Sequence, residues 1–157
     1  MSGVLLNGVI EVRLLTSIPS TPTAPTQAEL DAGVDLRGTE QTEELIEING
    51  WQKTTEAVPT GGYASTNVGS LAGPSSYPAS NLVWRFDDTS EVIFSAVAET
   101  QTPQWISFAQ QGHTSGNRAL IFPVTISVRE EGVARGVAHS FRADFSLTPP
   151  YPATQAA

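Results

Sequence analysis

The stretch "ALIFPVTISVREEGVARG", residues 119–136, decides the fold. Leu120, Phe122, Val124, Ile126 and Val128 are apolar, and Ile121, Pro123, Thr125 and Ser127 stand between them, with Arg129 next. A period of two marks a strand with one buried face. Proline has no N–H to give to a ladder, so Pro123 predicts one of three things: a sheet edge, a bulge, or a nitrogen turned away from any partner. "VAHSFRADFSLT", residues 137–148, repeats the pattern. Val137, His139, Phe141, Ala143, Phe145 and Leu147 lie on one side of it, Arg142 and Asp144 on the other. Together the two runs predict a hairpin across 130–136.

Upstream, "NLVWRFDD" (81–88) alternates Leu82, Trp84 and Phe86 with Val83, Arg85 and Asp87 and predicts another strand. "DTSEVIFSAVAET" predicts a helix starting at Asp88, with Glu91 three residues on and Val92, Ile93, Ala96 and Val97 as an apolar stripe. "QWISFAQQG" (104–112) reads as a strand and "HTSGN" as a turn. "ELIEINGW" (44–51) reads as a strand whose acids share a face. In "TQAELDAGVDL", Thr26 and Glu29 have capping-box spacing, and Gly33 stops the helix after about two turns.

Residues 57–80 are rich in Gly, Ser, Thr and Pro yet carry Tyr63, Val68, Leu71 and Tyr77, too many apolar groups for a plain linker. They predict a long projecting loop or hairpin that orders on contact. "SIPSTPTAPT" (17–26), with prolines three apart, reads as an extended connector. The expected organisation is an N-terminal arm and connector over 1–25, one domain over 26–150 and a flexible tail over 151–157.

The 157 residues are 39% hydrophobic and 15% charged, enough for one domain with a true core. Thirteen glycines and eleven prolines favour strands and turns over long solvated helices. A net charge of −8 argues against a protein that grips nucleic acid by neutralising phosphates. There is no cysteine, so disulfides and thiolate metal sites are excluded. The start lacks a basic n-region and carries Glu11 in its apolar run, so a signal peptide is not expected, and no stretch is long and apolar enough to span a membrane.

No catalytic constellation is legible. His113 falls in a turn and reads as a surface histidine; His139 reads as a hydrogen-bonded core or interface histidine. Ser140 is its neighbour along a strand and so points to the other face, which disqualifies the pair as nucleophile and base. Glu43–Glu44, Asp87–Asp88 and Glu130–Glu131 sit at strand, helix and turn boundaries rather than in glycosidase-like pairs. No metal-ligand spacing and no phosphate-binding lysine loop occurs, so neither metal nor cofactor is expected. Trp84 and Trp105 fall in apolar alternation and read as core, while Trp51 is a further candidate for stacking on sugars or bases.

The order of parts resembles the major tail protein, or tail tube protein, of long-tailed bacteriophages, especially those of actinobacteria. The resemblance rests on Pro25, Thr26, Ala28, Glu29, Leu30, Ala32, Gly33, Val34, Asp35 and Leu36, then Gly50, Trp51, Thr54 and Thr55. It closes on Phe122, Pro123, Val124, Phe141, Phe145, Leu147 and Pro149, spanning roughly 22–150. It implies a β-rich α+β fold, a sandwich or barrel-like domain with one flanking helix, a long loop and extended terminal arms. It also implies a structural virion protein, not an enzyme, assembled in the host cytoplasm. Six copies form a ring, rings stack into a hollow tail tube, and DNA passes through without specific binding. Tape measure and tail terminator proteins are the implied partners. On this reading Glu44, Glu47, Arg142 and Asp144 are expected to face the lumen, and Tyr63, Val68, Leu71 and Tyr77 to lie in an inter-ring loop. At −8 per chain, six copies put about −48 on a ring, which repels DNA phosphate at short range. The alternatives are a tail terminator, a contractile-system tube protein of related fold, or a carbohydrate-binding β-sandwich.

Overall fold

A computed structural model describes residues 10–38, 43–62, 64, 69–86, 91–110, 112–132 and 139–156. The strands are β1 (Glu11–Leu15), β2 (Val34–Asp35), β3 (Glu43–Asn49), β4 (Thr54–Thr60), β5 (Gly69–Ser76), β6 (Ser80–Phe86), β7 (Thr100–Ala109), β8 (Arg118–Gly132), β9 (Ser140–Leu147) and β10 (Tyr151–Thr154). Among the described residues two short helices, α1 (Gln27–Asp31) and α2 (Val92–Ala96), complete the set, one in each run expected to be helical. An antiparallel sheet runs β2-β1-β7-β8-β9-β6-β3, with β10 added on β8; β4 and β5 form a separate two-stranded sheet.

The hairpin read from 119–147 is present as β8 and β9. Pro123, however, lies on no edge: β8 pairs with β7, β9 and β10. The carbonyl of Pro123 accepts the N–H of Thr148, and a residue in an extended strand turns its N and its C=O to the same side. The missing donor therefore faces the gap where β8 passes from β10, paired over 118–121, to β9, paired from Val124 on. Of the three outcomes, the nitrogen turned from a partner is realised.

The apolar alternation also breaks where the sequence hides it. The β8–β9 register shifts between Ile126 and Val128. Beyond the shift, Arg129 rather than Val128 stands opposite core residue Ala143. Its guanidinium lies 4.0 Å over the Phe94 ring and donates to the Phe94 carbonyl at 2.9 Å. A bulge adds one residue and so exchanges the faces beyond it.

The sheet is sandwich-like and curls around its own inner face. Leu36 ties the two ends together: its N–H donates to Val12 on β1, and its carbonyl accepts Nε1 of Trp84 on β6 at 2.6 Å. Two residues on, Gly38 bridges to Glu44 on β3. Gly38 has φ +67, and a Cβ there would lie 1.4 Å from the Glu43 carbonyl, so only glycine fits. The core comprises Val12, Leu14, Leu82, Trp84, Ile106, Phe122, Val124, Ile126, Phe141 and Phe145, with Ile93 and Val97 of the α2 region. Trp51, at φ 66 after Gly50 at φ 84, is turned inward against Phe108, Phe122 and Phe145.

α1 carries the expected capping box between Thr26 and Glu29. Gly33 adopts no positive φ; its small size admits Leu15, whose Cδ2 would lie 2.5 Å from a Cβ. The expected start of the second helix at Asp88 lies outside the described residues, and the N-cap residue of α2, Glu91, makes no side-chain capping bond. The cap comes from Glu43 on β3, whose carboxylate accepts the N–H of Ile93 at 2.9 Å and of Phe94 at 2.7 Å. Both terminal expectations are corrected. The segment assigned to an arm and connector belongs to the domain from Glu11 on: β1 lies between β2 and β7, and Pro19 and Pro25 are buried. The segment assigned to a flexible tail is strand β10, after which Gln155 and Ala156 hydrogen bond to Asn117 and Pro25. Backbone pairing holds it, helped by buried Ala153 and by the Gln155 side-chain amide, which donates to Gln27 Oε1; backbone pairing leaves no side-chain period to read.

Candidate functional site

The outer face of the sheet divides into two halves. Over β1, β7 and the start of β8 it is covered: Leu15, Leu30, Ala119, Ile121 and Ala153 are buried. Over β3, β6, β9 and the far half of β8 it is polar and open. Cross-strand partners share a face. Glu44 stands opposite Arg85, Glu47 opposite Val83, Val83 opposite Arg142, and Asn81 opposite Asp144. Glu44 and Glu47 are an odd number of residues apart and would oppose each other in a regular strand. A bulge between Leu45 and Glu47 returns them to one side. The structure thus brings all four sequence-derived residues, Glu44, Glu47, Arg142 and Asp144, onto one polar face.

The charges there are largely matched. Arg85 meets Glu44 at 2.6 Å, and Arg142 lies 3.2 Å from Glu130 and 2.9 Å from Asp144. Asn49 bridges by hydrogen bonds to Glu47 at 3.3 Å and Asn81 at 2.9 Å. Sequence reasoning missed Arg85 and Glu130 as members of this face: the alternation of β6 places Arg85 there, whereas Glu130 reaches it only through the bulge in β8.

The face ends at β3, the edge of the sheet. Beyond Leu45, whose N–H donates to Arg37, Ile46 and Ile48 are 47% and 42% exposed. An apolar edge left open in this way favours strand addition. Next in the chain, β4 and β5 form the hairpin expected within 57–80. Val58 stands opposite Leu71, exposed at 44% and 64%. Tyr77 is corrected: it does not project but packs on the domain's own core, 5.8 Å from the Phe122 ring. Tyr63 and Val68 lie outside the described residues.

The histidines exchange roles relative to expectation. His139 is exposed and pairs with Glu131 at 3.4 Å. His113 is buried, with Nε2 2.7 Å from Ser107 Oγ and Nδ1 3.0 Å from Glu11 Oε2. An ionised carboxylate only accepts, so Nδ1 carries the proton and Nε2 accepts from the Ser107 hydroxyl. The order is that of a serine hydrolase triad. But Ser107 is 0% exposed, paired between β1 and β8, so no substrate carbonyl can reach Oγ. The network ties β1, β7 and the 112–117 turn together.

Its titration has a definite sign. Burial pushes His113 below its ordinary 6.5, against the hydrogen bond and charge of Glu11; Arg13 pushes the same way as burial and Asp35 opposes it. For Glu11 burial raises the pKa, but the hydrogen bonds of His113 and the charges of His113 and Arg13 bring it below 4.5. Both folded values are depressed, so the stability these groups contribute is present above their unfolded values and lost as pH falls. Loss begins below about pH 6.5 for His113 and below 4.5 for Glu11. Glu29, held at about 2 by the Ser20 hydroxyl and the Ser20 and Thr26 N–H groups, starts to lose its contribution below the same 4.5 and goes on losing it down to about 2. Thermal melts between pH 7.5 and 5 are expected to show a falling midpoint in the native chain and a flatter profile in His113→Gln.

Among the described residues, no group of His, Asp or Glu is placed to hold a metal, and no helix is long and apolar enough to cross a membrane. Trp51 and Trp84 are both buried, which removes two of the three stacking platforms that a carbohydrate module would use.

A solved structure is similar in fold. A chain in a cryo-EM structure of the anti-feeding prophage (AFP) baseplate, 6-fold symmetrised, aligns over 96% of this chain and 95% of its own length with a TM-score of 0.57 and 13% identity. The chain shares that fold. Residues 1–157 match the family described as phage tail tube protein, and the chain belongs to that family. No curated protein sequence matches it. The family is a virion component that assembles into a multimeric tail structure.

Proposed function

We propose that the chain forms hexameric rings that stack into a hollow tube, with the polar face of β3, β6, β8 and β9 turned to the lumen. The observation that carries this reading is the way that face runs, uncovered, to the open apolar edge of β3. In a ring, each such edge meets the next subunit, a head-to-tail contact closed by rotation. The six-fold baseplate from which the similar chain comes supports the same symmetry. DNA would slide along a wall in which carboxylates exceed arginines and most charges are already paired. Tape measure and terminator proteins would cap and set the tube, assembled in the host cytoplasm. A second reading, a single-ring terminator or the tube protein of a contractile system, draws on the same likeness to a baseplate chain.

Negative-stain electron microscopy across a concentration series tests the proposal. Hollow stacked tubes are expected; isolated rings alone favour the terminator, and monomers throughout defeat both readings. Charge reversal tests the lumen assignment. Glu44→Lys with Glu47→Lys sets two lysines on the face that holds Arg85 and Arg142. Assembled particles carrying both changes are expected to retain DNA during ejection in a salt-dependent way. Ejection indistinguishable from the native protein would place these residues away from the DNA path.

A further inference from the structure

A second surface lies away from the open β3 edge. β10, folded back along the start of β8, forms with the end of β7 a groove of about 930 Å³, lined among others by Phe108, Arg118, Leu120, Pro152 and Thr154. Leu120 is 40% exposed there. Arg118, two residues before it on the same strand, points to the same face. Among the described residues nothing forms an ion pair with Arg118.

The β4–β5 hairpin presents the complementary arrangement. Glu56 and Val58 are two residues apart on β4, so they too share a face, with Leu71 opposite Val58. Glu56 is the hairpin's only charged residue in 54–60 and 69–76 and is exposed. It also forms no ion pair with any described residue. Gly73 keeps the hairpin thin beside it: a Cβ there would lie 2.6 Å from the Glu56 carbonyl and 2.9 Å from Val58. One charge and one apolar side chain, separated by one two-residue step of about 6.6 Å, thus occur on both surfaces with opposite sign.

We propose that the β4–β5 hairpin of one copy docks in the β7–β8–β10 groove of a second copy, with Val58 and Leu71 on Leu120 and Phe108 and Glu56 paired with Arg118. The hairpin is then the plug and the C-terminal strand a wall of the socket. An isolated two-stranded sheet is marginal in water, and this contact gives it a third layer. The inference rests on the proposed self-assembly and names the contact within it.

Two experiments on the full chain test it. Glu56→Arg and Arg118→Glu are each expected to lower the sedimenting, assembled fraction at least several-fold, and the double swap to restore most of it. The chain has no cysteine, so Val58→Cys with Leu120→Cys introduces the only thiols, and oxidation is expected to give a ladder of covalent multimers. Assembly that persists in both single charge variants, or a double swap no better than either, overturns the contact while leaving self-assembly intact. Assembly of the thiol variant without a ladder does the same. A native chain that stays monomeric at every concentration overturns the assembly reading and this contact with it.

Discussion

Glu43→Ala is expected to lower unfolding stability by about 3 kcal/mol, since each of two N–H groups loses a charge-assisted bond and is left unsatisfied. Glu43 is 1% exposed and holds Ile93 and Phe94, the first turn of α2, from the far side of the core. A five-residue helix has too few internal bonds to persist alone. It is kept in place by this carboxylate and by the ring of Phe94, which meets Phe141 edge-on at 5.3 Å. Phe141 in turn stacks on Trp84 at 5.0 Å. Loss of the cap should therefore loosen the surroundings of Trp84 as well as lower the midpoint, and near-ultraviolet circular dichroism together with urea unfolding reads both. Glu43→Gln keeps the shape and one acceptor oxygen and is expected to cost about half as much. An unchanged midpoint in Glu43→Ala would mean that α2 is anchored by packing alone.

The same interaction shows where sequence reasoning stops. Thr26 and Glu29 are three residues apart, so their capping box is written locally and is legible. The cap of α2 comes from a residue 50 positions away and is not. Period two identified β6, β8 and β9, because the core faces of these strands bury one side chain in two. It failed at the bulge in β8, which leaves no mark of its own and moved Arg129 onto the core side. On β3 the acids share a face, as expected, but only because a bulge returns Glu47 to the side of Glu44. The histidines exchanged places for a similar reason: the partner that buries His113, Glu11, lies 102 residues away. Local pattern fixes which side of a strand is apolar, whereas what covers that side is decided by elements distant in sequence. The polar face was legible for that reason, and the socket at β10 was not.

Excision of residues 54–76, with a short Gly-Ser link from Lys53 to Tyr77, is expected to give a folded chain that does not build tubes. Thr54 and Ser76 are cross-strand partners, so the ends to be joined are already close. The anchors on either side stay: Trp51 donates its backbone N–H to Ser80 Oγ at 2.9 Å and its Nε1 to Asn81 at 3.2 Å, and Tyr77 remains on Phe122. The hairpin is a sheet of its own, and none of its described residues belongs to the buried core. The thermal midpoint should accordingly stay within a few degrees of the native chain, a shift corresponding to less than about 1 kcal/mol. Assembly should nonetheless be abolished, because a tube repeats the same contact at every subunit and its loss is felt at each one. Sedimentation and electron microscopy report the second effect, and a melting curve the first. Tubes formed by the excised chain would remove the hairpin from the assembly mechanism and leave the β3 edge to account for it. A chain that no longer folds would show that the hairpin supports the core through Trp51, and the assembly role would then rest on the charge swap at Glu56 and Arg118.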